Sequence, residues 1–333
     1  MSRPGESTLR LLLQPVAHWL AGSAVTEICV NRPGEIWVEQ RGMWATHAIP
    51  ELDFVALDCI ATLAAAMTNQ DVSPSHPLCA TALPDGQRVQ ICRPPAVGPA
   101  LISTTIRIPS AFRPTVTGLR DGGLFRNTAR ADCQHKTLHE TYDAQDYPSF
   151  LTAAVLAHKN ILICGSTGSG KTTLAKALIE AIPLTERIVT IEDTPEWEGL
   201  PHPNRVALFY SKGDQGMARV KTEDLLEASL RMRPDRVLMQ ELRDGAAFSY
   251  LRGVVAGHPG SITTLHAQNT AGAFDALRLM VRQHPAGASL GDADVRALLN
   301  QMVDIVVHCE RRANAFSVTD VWWKNAKELS NAA

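Results

Sequence analysis

Long apolar runs are missing from this chain. None of its 333 residues sits in a stretch approaching the roughly 20 consecutive apolar residues of a membrane span. The opening Met1-Ser2-Arg3-Pro4-Gly5-Glu6 carries an acid and lacks a signal-peptide cleavage pattern, so a cytoplasmic protein is expected. Paired cysteines are missing too. The seven cysteines, Cys29, Cys59, Cys79, Cys92, Cys133, Cys164 and Cys309, are scattered and include no C-x-x-C, which argues against a disulfide or zinc framework and fits reduced, packed thiols. Charge of one sign is not in excess either: 32 basic and 34 acidic residues leave a net charge of −2. There is no run of about five or six like charges, so nothing marks a nucleic-acid surface and no direct sequence-specific nucleic-acid partner is expected. What the chain does have is 45% apolar residues, enough to bury a core in each of the about two domains that its length implies.

The first third reads as short strands with a helix or two. Leu9, Leu12, Leu13, Val16 and Leu20 fall on one side of a helix over 7–20 that Pro15 kinks or shortens. Val25–Asn31 and Glu35–Glu39 read as strands about the turn Arg32-Pro33-Gly34, residues 52–67 read as a helix, and Pro84-Asp85-Gly86 opens a further hairpin whose strands are read as Arg88–Cys92 and Leu101–Ile106. A small α+β domain over 1–130 follows. Between about 113 and 145 apolar content falls while Gly, Asp, Arg, Gln and His rise, as in a connecting segment.

From Asp146 the pattern alternates: helix 147–157, strand 160–164, helix 171–182, strand 187–191, helix 222–232, strand 235–240, helix 244–256, strand 261–265, helix 270–283. Such alternation predicts a mostly parallel sheet covered by helices, with ligands at the carboxyl ends of its strands. Val303–His308 and Ala315–Val321 are read as an antiparallel addition to it.

Within this second domain, 146–333, the run Ile161-Leu162-Ile163-Cys164 leads into Gly165-Ser166-Thr167-Gly168-Ser169-Gly170-Lys171-Thr172-Thr173. The spacing is that of a phosphate-binding loop, G-x-x-x-x-G-K-[ST], between a strand and a helix. Glycines let backbone N–H groups wrap the phosphates, Lys171 can reach their terminal oxygens, and the Thr172 hydroxyl can ligate Mg²⁺.

Three more stretches bring chemistry to the same edge. Arg187-Ile188-Val189-Thr190-Ile191 ends in Glu192-Asp193, paired carboxylates able to hold metal-bound water or polarise an attacking one; the plainer reading is a strand end with a helix cap. Asp235-Arg236-Val237-Leu238-Met239-Gln240 delivers Glu241, a candidate for activating water or holding Mg²⁺ through water. Ser261-Ile262-Thr263-Thr264-Leu265 runs into His266, a group whose hydrogen bonding can report the γ-phosphate, or else a satisfied core histidine.

In this order the four stretches resemble the secretion ATPase superfamily, and within it the type IV secretion traffic ATPases, the VirB-eleven-like branch. The resemblance covers about residues 145–310. It implies a RecA-like P-loop ATPase domain of α/β class behind a smaller α+β domain, with ATP and Mg²⁺ as cofactors. It also implies a homo-hexamer, peripheral to the cytoplasmic face of the inner membrane, working with secretion-channel components and with coupling or assembly ATPases. The motor would power pilus assembly or substrate translocation in secretion or conjugation. Arg107 resembles the family's N-terminal arginine that approaches the phosphates, and Arg126 or Arg130 is the candidate for a second. Gln240 departs from the family pattern, in which a small residue is common. The other readings are a type II secretion or type IV pilus motor, a RecA-like nucleic-acid motor, and a nucleotide-binding scaffold with little turnover.

Overall fold

The computed structural model describes residues 4–109, 115–121, 132–210, 218, 220–255, 257–312 and 315–326. The helix expected over 7–20 is broken at Pro15 into α1 (Glu6–Leu12) and α2 (Ala17–Leu20), joined by a single 3₁₀ turn. Then come β1 (Val25–Val30), β2 (Glu35–Gln40), β3 (Met43–Ala48), α3 (Phe54–Met67), β4 (Leu78–Ala82), β5 (Arg88–Cys92) and β6 (Ser103–Arg107). These strands form one antiparallel sheet in the order β3-β2-β1-β6-β5-β4. The Asp53 side chain caps α3 by accepting from Ala56 N, and the buried stripe Leu57, Ile60, Ala61 and Ala64 packs with Leu9, Ile28, Ile36 and Ile91.

Two strands here escape the apolar-alternation test. β3 is almost wholly solvent-facing, and β4 is built of small side chains. As a result the Pro84-Asp85-Gly86 turn joins β4 to β5, not β5 to β6 as the sequence pattern predicts. β5 and β6 do pair, but across a loop carrying Pro94, Pro95 and Pro99, residues without an N–H to offer a tight hairpin.

After α4 (Val116–Asp121) comes α5 (Asp132–Asp143), in the segment read as a connector. Its Leu138 is fully buried among Phe150 and Leu151, and Tyr142 Oη donates to Val321 O at 2.9 Å, so this helix packs on the second sheet. α6 (Tyr147–Leu156), β7 (Ile161–Gly165), α7 (Lys171–Glu180), β8 (Ile188–Glu192), β9 (Arg205–Phe209), α8 (Thr222–Leu230), β10 (Arg236–Glu241), α9 (Ala246–Val255), β11 (Ile262–Leu265), α10 (Thr270–Gln283), α11 (Pro285–Ala288), α12 (Asp292–Met302), β12 (Ile305–Arg312) and β13 (Ala315–Trp323) complete the chain. The second sheet runs β13-β12-β7-β11-β10-β8-β9 and is parallel except for the antiparallel β12–β13 pair. β7 is buried on both faces: Leu162 and Cys164 enter one core and Ile161 and Ile163 the other, which is why its sequence is a continuous apolar run. Among the described residues no helix is long and apolar enough to cross a membrane.

The two sheets meet at the amino edge of the parallel one. Arg187, just before β8, is fully buried; its Nη1 donates to Asn31 Oδ1 at 2.7 Å and to Asn204 Oδ1 at 2.5 Å, and its Nε donates to Met232 O at 2.9 Å. Arg233, ahead of β10, donates to Glu39 of β2 and to Asp235. Both guanidinium groups lie under 6 Å from the Trp44 ring centroid, at 5.9 and 5.8 Å, a cation–π arrangement.

Candidate nucleotide site

The phosphate loop springs from the end of β7, and its conformation demands glycine at two places. A Cβ at Gly165 would fall 2.2 Å from Cys309 O, because β12 pairs with β7 up to that residue. Gly170 has φ +90° and forms the N-cap of α7. The first-turn N–H groups of α7 have no helical acceptor, and that turn carries Lys171, Thr172 and Thr173. Thr172 is half-buried, while Ser166, Thr167, Gly168 and Thr173 are exposed. Lys171 Nζ donates to Gly165 O at 3.0 Å and Ser166 O at 2.8 Å, folding the ammonium into its own loop. Burial lowers its pKa, and the charge of Glu241 opposes that shift.

The strands β7, β11 and β10 lie side by side and parallel, so Gly165, His266 and Glu241 emerge together at the carboxyl edge. His266 Nε2 stands 3.1 Å from Glu241 Oε1. Arg243 Nη2 donates to Glu241 Oε2 at 2.5 Å, and its Nη1 lies 3.4 Å from Asp193 Oδ2. Arg243 is not among the residues that the sequence pattern singles out, although a cation two positions beyond the carboxylate at this edge is the available signal. Gln240, the departure from the family pattern, ties β10 to the end of β8, because its Oε1 accepts from Asp193 N at 3.0 Å.

The structure therefore brings together Lys171, Glu241 and His266, with Asp193 and Arg243 added. Glu192 is held differently. Thr190 Oγ1 donates to its Oε1 at 2.6 Å and Trp197 N to its Oε2 at 3.1 Å, and it is 1% exposed. Burial pushes its pKa up against these two donors and Arg205. It borders a cavity of about 650 Å³ between β8, β9 and the proline-rich loop of the N-terminal sheet. Arg107 ends β6 opposite Glu27, with Nε 3.6 Å from Glu27 Oε1 and a largely exposed side chain. Glu27 in turn feels the charges of Arg187 and Arg233, so Arg107 belongs to the group at the amino edge, across the sheet from the phosphate loop of the same chain. Arg126 and Arg130 lie outside the described residues.

Among the described residues no group of three or more His, Cys, Asp or Glu could by itself hold a metal ion. At the site Ser169 Oγ is buried with no hydrogen-bond partner, and Glu241 Oε1 is buried with the His266 ring 3.1 Å away. Hydroxyl and carboxylate oxygens of this kind suit Mg²⁺, which keeps several waters and takes few protein ligands.

Residues 12–328 match the family model described as type II/IV secretion system protein. The chain is 44% identical over 331 residues to the type IV secretion system protein VirB11 of Bartonella quintana, covering 95% of this chain and 93% of the relative. It is 42% identical over 324 residues to protein VirB11 of Rhizobium radiobacter, covering 94% and 93%. Among solved structures, the VirB11 ATPase of the Brucella suis type IV secretion system, crystallised with sulphate, matches with a TM-score of 0.90 at 38% identity over 98% of both chains.

Proposed function

Because this chain belongs to the type II/IV secretion system protein family, and is similar along nearly its whole length to VirB11 proteins, we propose that it is the ATP-hydrolysing motor of a type IV secretion or conjugation system. The observation that carries the reading is the shared carboxyl edge, where Lys171, Glu241 and His266 emerge from three neighbouring parallel strands. Gly165–Thr173 cradles the phosphates through backbone N–H groups and the N-terminus of α7. On nucleotide binding Lys171 exchanges its two loop carbonyls for phosphate oxygens. Glu241 Oε1, 3.1 Å from His266 Nε2, accepts from the water that attacks the γ-phosphate, and His266 senses that exchange. Arg243 holds the other Glu241 oxygen and so fixes the carboxylate plane. Mg²⁺ entering with ATP would be held by the Thr172 hydroxyl, with Glu241 as an acceptor for its waters, and would supply neutralisation of phosphate charge; Glu192, whose two oxygens are taken by Thr190 and Trp197, is left out of that shell.

Arg107 lies beside Glu27 with an exposed side chain, and its proposed role towards phosphate would be exerted on a second copy of the chain, as in a homo-hexameric ring; Arg126 or Arg130 remains the candidate for a second such group. The ring would work at the cytoplasmic face of the inner membrane with secretion-channel components. The pilus-motor and nucleic-acid-motor alternatives are not favoured by the VirB11 likeness. Steady-state phosphate release tests the reading: Lys171→Ala should lower turnover by about 10²- to 10³-fold, and full turnover in that variant sinks the assignment.

A further inference from the structure

The hairpin of β12 and β13 runs alongside β7 and continues beyond its end. Cys309 pairs with Gly165, and the strand then goes on through Glu310, Arg311 and Arg312, past the point where the phosphate loop departs. On the returning strand, Phe316 pairs with Arg311. Its ring atoms lie 3.1 to 3.3 Å from the place a Cβ of Gly170 would occupy, so the edge of the ring rests on the last glycine of the phosphate loop. Phe316 is nonetheless 62% exposed. The Arg311 guanidinium lies over it, 5.9 Å from the ring centroid.

A single exposed aromatic is ordinary on a protein surface. This one is unusual in three respects together: it touches the loop that holds phosphates, it carries a cation, and Gly170 leaves room for it by having no side chain. We infer that Phe316, with Arg311, forms the base-side wall of the nucleotide site, stacking on the purine of a nucleotide whose phosphates occupy Gly165–Thr173. The inference rests on the nucleotide reading above and extends it to a part of the ligand for which Lys171, Glu241 and His266 have no contact to offer. Stacking on a free aromatic face is tolerant of hydrogen-bonding pattern but grows with ring size, so the wall favours purine over pyrimidine nucleotides.

Calorimetric titration of the full chain with MgATP, MgCTP and magnesium tripolyphosphate separates the parts. Phe316→Ala should weaken MgATP roughly 5- to 150-fold, narrow the gap between MgATP and MgCTP, and leave tripolyphosphate affinity unchanged. Phe316→Tyr, which keeps the ring, should bind MgATP as the unsubstituted chain does. If Phe316→Ala binds MgATP undiminished, or loses tripolyphosphate in equal measure, the ring does not hold a base and the inference is overturned. If the unsubstituted chain binds neither MgATP nor tripolyphosphate, the nucleotide reading itself fails and takes this inference with it.

Discussion

Arg187 and Asn31 stand 156 positions apart in the chain and share a 2.7 Å hydrogen bond. The guanidinium is fully buried, and its hydrogen-bond acceptors are all neutral: Asn31, Asn204, the Thr105 hydroxyl and the Met232 carbonyl. A buried guanidinium that donates to no carboxylate persists only when its donors are met, so each acceptor matters to the joint between the two sheets. Asn31→Ala should cost about 1–3 kcal/mol, read as a lowered denaturation midpoint. Arg187→Lys should not restore what Arg187→Ala loses, because an ammonium cannot span acceptors spread around a planar fork. An Asn31→Ala chain of unchanged stability would contradict this account.

Glu241→Gln separates binding from turnover. The amide keeps the size of the side chain and can still meet Arg243 through its carbonyl oxygen, but it cannot act as a base toward water. MgATP affinity should stay near that of the unsubstituted chain while kcat falls about 10²- to 10⁴-fold. Retention of full turnover would remove Glu241 from the chemistry.

Glu27 gives the fold a pH dependence of definite sign. Burial raises its pKa to about 7, outweighing Arg107, while Glu39 pushes the same way and Arg233 and Arg187 oppose. The folded state therefore holds this proton more tightly than the unfolded chain, whose carboxyl titrates near 4.5. The contribution is present in full below about 4.5 and is lost as pH rises through 7. Glu27→Gln should flatten that decline, so its advantage in thermal midpoint over the unsubstituted chain should be larger at pH 8 than at pH 5. An advantage that is the same at both pH values would contradict the assignment.

Two glycines of the phosphate loop should respond unequally to alanine. At Gly165 the new Cβ meets Cys309 O at 2.2 Å, a backbone atom of the β12–β7 ladder that cannot step aside. At Gly168 the Cβ meets nothing within 4 Å, and only φ +72° opposes it. Gly168→Ala should cost about 1–2 kcal/mol, and Gly165→Ala clearly more, measured as the difference in denaturation midpoint. Equal losses would mean that the ladder yields where the geometry says it does not.

Much of this fold is legible in the sequence, for identifiable reasons. The glycine-rich loop and the strand ends that carry Glu241 and His266 are readable because an apolar strand followed by a polar residue is a one-dimensional pattern, and parallel strands line such residues up at one edge. β3 and β4 are not, since an exposed strand and a strand of small residues carry no alternation. α5 is hidden because it presents few apolar residues to its neighbours, chiefly Leu138 and Tyr142. The direction of Glu192 also eludes the pattern. Its neighbours Thr190 and Trp197 supply donors only once the chain has turned back after β8. Arg107 reads as a phosphate contact by position in a motif, while its place at the amino edge depends on how the N-terminal sheet docks.

That docking bears on β10 in particular. The strand spans Arg236–Glu241, six residues or about 20 Å at the usual rise of an extended chain. Just ahead of its first residue Arg233 grips Glu39 of the N-terminal sheet, and its last residue is the carboxylate beside His266. The grip at one end and the carboxylate at the other therefore belong to one strand, whose pairing with β11 shifts register between Met239 and Glu241. A tilt of the N-terminal sheet at Glu39 would act on the same strand that carries Glu241.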